Sequence, residues 1–516
     1  MSRCPLPRDV PNPKALARST PTHSVLIRSV LPVACALSAC VVLSSAPVMG
    51  QDAQTEPPTR AWLEAIQIPE IEFTPPEAVE HTLSNGVTVF HLKDDAFPVI
   101  DMVAHFRGGF SYLPREFYAA GTALPTMLRT GGSSTMSPDA IDEFFEARAV
   151  QTTFGGSGES IISSISVLVE HLDETLEVWG AMLKTPAFDA ERIAIWRGQE
   201  VESLRRRIDN PAGLAFSEYN RLMYGDHPIG WEMTEADIAE ERVTPEVFNR
   251  LHAQVLCADN LLFGVVGPLE WVELEPRLEG LMADWPACEQ PLELPPIPDV
   301  GAPPGVYLIP RPLNQSTVVV AHPTDLRQSA EPEYFSAQLG NTILGASGLT
   351  SRMSQVLRTE RGYAYGASSL WTTPRRYPGL VGATTQTRSE TTIQAIRAMI
   401  EVMEGMADRP PTEDELQDRI DEAVNGWVFN FQTPARIVSR RLGLRAARLP
   451  DDWLTRYLDG IRAVTPEAVR AVYDRYLRPG EWVILIVGNP DDFEGSLDGL
   501  GPITILDPDA GNEAPE

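Results

Sequence analysis

Histidine and cysteine are scarce in this 516-residue chain, which has eight of the first and five of the second. Three of the cysteines (Cys4, Cys35, Cys40) stand within the first forty residues, leaving only Cys257 and Cys288 beyond them. No Cys-x-x-Cys pair and no Cys/His spacing of a structural zinc site occurs. Basic residues are also short. Against 71 Asp and Glu there are 42 Lys and Arg, a formal charge of −29. That balance leaves no phosphate-neutralising surface, which excludes a general nucleic-acid binder and disfavours an anionic membrane surface. The apolar run Val30–Leu43 (VLPVACALSACVVL) falls short of the ~20 residues a spanning helix needs, so no membrane span is expected. A Gly-x-Ser-x-Gly elbow and a phosphate-cradling loop are missing too, which removes serine-hydrolase and nucleotide readings.

What is present divides the chain into segments. Arg3, Arg8, Lys14, Arg18 and Arg28 precede the Val30–Leu43 run, and small residues follow it to Gly50. A basic flank, a short apolar stretch and a small-residue exit read as a secretory signal over 1–50, implying export to a bacterial periplasm. Leu37-Ser38-Ala39-Cys40 also resembles a lipobox, so lipid anchoring at Cys40 stands beside soluble export. An oxidising compartment permits a Cys257–Cys288 bridge, and two separate buried thiols are the other reading. Residues 51–76 form a Pro- and Glu-rich linker and 286–304 (PACEQPLELPPIPDVGAPP) a second one. Lobes are expected over 77–285 and 305–495, with an acidic, loose tail over 496–516.

The two lobes are one unit written twice. Val243-Thr244-Pro245-Glu246 leads through a helix to the strand Leu261–Gly267, and Val464-Thr465-Pro466-Glu467 leads likewise to Val483–Gly488. Both intervals, Thr244 to Gly267 and Thr465 to Gly488, are 23 residues. In each copy Thr is an N-cap, Pro takes the first helical position and Glu the first turn. The opening strands Gly86-Val87 and Gly305-Val306 repeat at nearly the same offset, marking an internal duplication. Paired strands followed by long helices give an α+β class: two tandem homologous lobes, each a mixed or antiparallel sheet with helices on one face, forming a clamshell.

The stretch Ile343-Leu344-Gly345-Ala346-Ser347-Gly348-Leu349-Thr350-Ser351-Arg352-Met353, continued by Leu357-Arg358-Thr359-Glu360-Arg361-Gly362-Tyr363-Ala364-Tyr365, resembles the second-domain signature of the insulinase/pitrilysin zinc peptidases, which include the mitochondrial processing peptidases. Leu83-Ser84-Asn85-Gly86-Val87, Asp209-Asn210-Pro211 and Tyr224-Gly225-Asp226-His227-Pro228 sit where similar segments occur in that family, and the likeness runs from about 78 to 495. The resemblance implies a clamshell around an unfolded peptide. In active members it also implies a first-lobe helix carrying H-x-x-E-H, whose histidines bind zinc while the glutamate activates water.

Here the chain departs from the family. Over Gly121–Gly132, Leu124 and Leu128 stand where the histidines belong and Met127 where the base belongs, and residues 106–170 contain no histidine. Glu202 falls near the third-ligand position, where a solvated helix residue is the reading to expect. Glu170-His171 is a bare pair, and His227 belongs to a structural turn. No metal ligand and no cofactor are therefore assigned to this chain. The resemblance implies that an arginine and a tyrosine seven residues later, Arg358 and Tyr365, support substrate binding and the oxyanion. The expected function is a catalytically incomplete subunit that pairs with a zinc-bearing homologue and helps bind peptide and stabilise the transition state in trans. A non-enzymatic peptide-binding or scaffold protein of the same fold is the alternative.

Overall fold

The computed structural model describes residues 77–293 and 295–508. The leader 1–50, the lipobox cysteine Cys40, the linker 51–76 and the end of the acidic tail lie outside the described residues. The described residues fall within one compact unit.

Each half is built on a six-stranded sheet. The first holds β1 (Val79–Thr82), β2 (Thr88–Lys93), β3 (Val99–Arg107), β4 (Gln151–Gly156), β5 (Ser160–Leu168) and β6 (Leu261–Gly267), in the order β1-β2-β6-β3-β5-β4. The second holds β7 (Gly305–Pro310), β8 (Gln315–Thr324), β9 (Ala364–Trp371), β10 (Gly379–Arg388), β11 (Val483–Gly488) and β12 (Ile503–Ile505), in the order β12-β7-β11-β8-β10-β9. Five strands of each sheet correspond: β2 runs parallel to β6 as β7 does to β11, and the other neighbours are antiparallel. The sixth differs. β1 forms a hairpin with β2, whereas β12, from the segment read as acidic tail, lies parallel to β7.

The duplicated capping sites are superposable in detail. Thr244 accepts from the Val247 amide at φ −121°, ψ 161°, and Thr465 from the Ala468 amide at φ −120°, ψ 161°. Helices beginning at Pro245 and Pro466 follow in each copy, because Pro has the right φ and no N–H to strand. Alternation along β3 puts Ile100, Met102, Ala104 and Phe106 on the core face. They pack there against the helices Tyr118–Thr130 and Leu172–Lys184, with Trp179 fully buried and its indole N–H on Ser163 Oγ at 2.8 Å. The second core is the same arrangement around Ile396, Met399 and Met403 of Thr392–Asp408.

The long helices cover one face of each sheet. The opposite face takes a helix from the other half of the sequence. Pro211–Tyr224 lays Leu214, Ala215, Tyr219 and Met223 on Val319, Ala321, Val483 and Leu485 of the second sheet. Tyr219, fully buried, donates its hydroxyl to Ala321 O at 2.7 Å. Reciprocally, Pro434–Ala446 lays Val438 and Leu442 on Phe90 and Val266 of the first sheet. Both helices start with a polar cap and a proline, Asn210-Pro211 and Thr433-Pro434, each cap accepting from the third residue on.

Cys257 and Cys288 form a disulfide, which ties the start of the 286–304 linker to the first half. His322 on β8 is wholly buried beside Trp482, accepting from the Arg478 amide at 3.0 Å and facing Pro323 O at 2.9 Å through its other nitrogen. Burial pushes its pKa down from 6.5 to about 4.

Two outcomes follow for stability. Gly264 on β6 leaves room for the exchanged helix: a Cβ there would stand 2.5 Å from Val438 Cγ1 and 2.8 Å from Leu442 Cδ1. Gly264→Val should lower stability by ~1–3 kcal/mol by overpacking that contact, read from the urea midpoint. For His322 the unfolded chain binds a proton below pH 6.5 that the folded one refuses. Stability is therefore full above 6.5 and falls as pH drops towards 4, by about 3 kcal/mol in total from this group. His322→Gln, which keeps an acceptor for the Arg478 amide without titrating, should flatten that part of a denaturation-against-pH profile.

Candidate functional site

The Arg358/Tyr365 pair stands on the open edge of the second sheet. Ser351 caps a short helical turn, Arg352–Ser354, by accepting from the Ser354 amide, and the chain then widens into a π-helix over Gln355–Glu360. Arg361 N bonds Val356 O, five residues back, at 3.0 Å. Such widening shifts the following side chains out of α-helical register and recurs at functional sites. Arg358 lies on this turn. Gly362, at φ +63°, reverses the chain, a conformation that suits glycine. Tyr363 N then bonds Leu357 O at 2.8 Å, and edge strand β9 begins.

Tyr365 is the extra residue of a β-bulge. Gln386 of β10 pairs with Gly366 and Thr387 with Ala364, so nothing opposes Tyr365. A bulge frees one residue from the ladder and turns its side chain outward. Two hydroxyls hold it in place: Thr387 donates to Tyr363 O at 2.7 Å and Thr385 to Gly366 O at 2.8 Å. The Tyr365 side chain is 87% exposed. Arg358 Cζ lies 5.1 Å from its ring centroid, a cation–π stack. Among the described residues Arg358 makes no ion pair and no hydrogen bond. The segment itself is anchored by Arg352, which pairs with Glu415 at 2.8 Å and donates to Arg409 O and Pro410 O. That hydrogen bond holds the Glu415 carboxyl below its ordinary pKa. The pair faces a cavity of about 830 Å³, whose other wall carries Thr317, Gln386 and Arg388, with Ala212 and Phe216 from the exchanged helix of the first half.

The first-lobe positions that the resemblance assigned to metal are core. Leu124, Met127 and Leu128 on Tyr118–Thr130 are at most 1% exposed and packed in the first hydrophobic cluster. A zinc site needs three or four nitrogen, oxygen or sulfur donors, and this helix supplies none. Glu202 sits on the outer surface of Ala190–Arg206, paired with Arg205 at 2.8 Å. Among the described residues no three His, Cys, Asp or Glu side chains could share an ion. His171 faces Glu174 at 2.8 Å. His227 Nδ1 accepts from the Ile229 amide and caps a single turn. The residues present do not fit a catalytic zinc.

The resemblance to the insulinase family singled out Arg358 and Tyr365, and the structure places them in contact on one sheet edge. Sequence reading missed the bulge, the π-helix and the Phe216 wall. The first two depend on hydrogen bonds made after folding, and the third belongs to a helix 150 residues away that crosses over from the other half.

Residues 242–422 match the family description of the peptidase M16 inactive domain. That segment, about a third of the chain, is similar to the M16 peptidase family. A curated relative described as an uncharacterized zinc protease of Streptomyces coelicolor is 24% identical over 315 residues, which cover 59% of this chain and 67% of the relative. Among solved structures, the peptidase M16 inactive domain from Pseudomonas fluorescens superposes with a TM-score of 0.70 at 22% identity, covering 80% of this chain and 98% of that one. A protease from Helicobacter pylori gives 0.68 at 14%, covering 80% and 100%. The periplasmic protease PqqL from Escherichia coli gives 0.68 at 15%, covering 81% of this chain and 46% of its own length. At these identities the structural likenesses carry the M16 fold alone. The family match lies over the end of the first half and most of the second, and does not reach the helix Tyr118–Thr130. No helix among the described residues is long and apolar enough to cross a membrane.

Proposed function

We propose that this chain is a non-catalytic M16 subunit that completes the active site of a zinc-bearing homologue, with Tyr365 and Arg358 acting on an unfolded peptide bound between the two. The observation that supports this most is the asymmetry of the site: the metal positions are filled with Leu124, Met127 and Leu128, while the Arg/Tyr pair is exposed, stacked and unspent. The partner's zinc would supply the activated water. This chain's residues do the rest. The Tyr365 O–H donates to the oxygen that becomes negative when the carbonyl is attacked, and the Arg358 guanidinium holds neighbouring peptide carbonyls.

Exposure explains why such a pair would work in trans. A hydrogen bond to an oxyanion in open water is worth little, because water competes and screens. The same donor is worth far more once a partner and its substrate exclude solvent. An 87% exposed tyrosine is therefore idle alone and effective when covered. The disulfide and the PqqL likeness favour the proposal that the assembly works outside the cytoplasm, where such bridges persist.

The test is reconstitution. Alone, the chain should cleave no peptide and hold well under one zinc per chain by elemental analysis. Mixed with a zinc-bearing homologue it should raise turnover. Tyr365→Phe and Arg358→Ala should each cut that turnover by ~10²–10³ while the two chains still associate. Association with no dependence on either residue would favour the scaffold reading, and chelator-sensitive cleavage by the pure chain would remove the proposal.

A further inference from the structure

A second cavity of about 830 Å³ shares no lining residue with the Tyr365 cavity. β3 alternates, so its core face takes Ala104 and Phe106 while His105 and Arg107 point to the opposite face, beyond Val103, which packs on the exchanged helix Pro434–Ala446. The cavity lies at the end of that face. Its walls are Phe110, Tyr112, Tyr118, Trp231 and Tyr377, with Ala446 from the exchanged helix.

The walls are fixed. Gly108 (φ +130°) and Gly109 let the end of β3 press against the β4–β5 turn, where a Cβ on Gly109 would stand 2.3 Å from Ser157 O. Gly108 N and Ser111 N donate to Glu159 O and Gly158 O, each at 2.9 Å. Across the halves Arg376 pairs with Glu159 at 3.3 Å and donates to the Tyr112 hydroxyl at 2.7 Å. Arg115 pairs with Asp237 at 2.8 Å while stacking on Tyr118 and Trp231. The linker segment Pro295-Pro296-Ile297-Pro298 borders the opening. Its ends are held by the Cys257–Cys288 bridge and by Gly301 N on Met223 O at 2.9 Å. Three prolines give that border an apolar surface with one backbone donor.

Two polar side chains at the end of β3 are unspent, and the Tyr377 hydroxyl and His227 Nε2 line the same cavity. Glu159, Arg376 and Arg115 have satisfied one another or their neighbours. Arg107, half-buried, has neither ion pair nor hydrogen bond among the described residues. His105 is only 9% exposed and also has no hydrogen-bond partner. Burial pushes its pKa down, so it is neutral and offers one N–H. The result is an uncompensated positive charge with a donor beside it at an aromatic-walled site, in a chain whose net charge is −29. Cavities of this size at the junction of two lobes, apolar with a few convergent polar groups, are the common form of a small-molecule site.

We infer that this cavity binds a small carboxylate with an aromatic or branched apolar body, the acid end held by Arg107 and His105 and the body stacked on Tyr118, Trp231 and Tyr377. The carboxylate can come from a free acyl amino acid or from the C-terminus of a peptide. The inference is independent of the Arg358/Tyr365 pair.

The test uses the full chain and calorimetric titration with N-acetylphenylalanine, its neutral amide, and a hexapeptide ending in phenylalanine. The acid should bind at least tenfold more tightly than the amide. Arg107→Met should abolish that preference, Arg107→Lys should keep part of it, and Tyr365→Phe should leave it untouched. Tighter binding of the hexapeptide assigns the site to peptide C-termini, and tighter binding of the acyl amino acid assigns it to free acids. Equal binding of acid and amide by the unmodified chain, no binding of either at millimolar concentration, or an unchanged preference in a folded Arg107→Met protein would overturn the inference. The comparison of acid with amide on the unmodified chain decides the matter even if a variant fails to fold.

Discussion

Everything else in this structure rests on the exchange of two helices between the halves. A β-sheet has two faces, and a sheet with helices on only one leaves the other wet or in need of cover. Here the cover for each sheet is encoded in the other half of the chain: Leu214 and Tyr219 seal the second sheet, Val438 and Leu442 the first. The two halves therefore cannot be separated without stripping a hydrophobic face from each, and this accounts for their clustering as one unit. The exchange also places both cavities. Phe216, on the first-half helix, walls the Arg358/Tyr365 cavity, and Ala446, at the end of the second-half helix, closes the Arg107 cavity.

Within this frame the duplicated halves have diverged in chemistry more than in architecture. The caps at Thr244 and Thr465 agree to within a degree, and five strands of each sheet share order and direction. What differs is what the strand edges and neighbouring helices present. The first half turns its helix Tyr118–Thr130 inward with leucine and methionine, so the position a metal would need is occupied by packed side chains. The second half presents a bulged edge strand, with an aromatic side chain turned to solvent and a cation on its face. Packed leucines at one place and an exposed Arg/Tyr pair at the other are both local features. Neither disturbs the cores, since Leu124 and Leu128 fit a buried helix face at least as well as histidine.

Much of this was legible beforehand. The duplication could be read from Thr-Pro-Glu and a buried strand recurring at a 23-residue interval, because capping and strand burial depend on neighbours in sequence. Helix starts depend on neighbours in the same way: Ala190–Arg206 follows an Asp189 cap that accepts from the Arg192 amide. Other features were not legible. β4, with its Thr-Thr-Phe-Gly-Gly sequence, has little strand character of its own and exists because β5 pairs with it. The tail was read as loose, and three of its residues pair with β7. The two cysteines allowed either a bridge or two separate thiols until the fold brought them together.

The division has a physical basis. Sequence alone determined what chemistry the chain possesses: no histidines where the metal family keeps them, an arginine and a tyrosine seven apart, and a repeat that foretells two similar lobes. These depend on which atoms are present and on contacts within a few residues, where chain connectivity fixes geometry. Tertiary structure decided where that chemistry faces. The bulge that exposes Tyr365, the helices that cross between halves, and the cavity that leaves Arg107 without a partner arise from contacts between residues far apart in the chain. Such contacts form only when burial of apolar surface repays the entropy of bringing distant segments together.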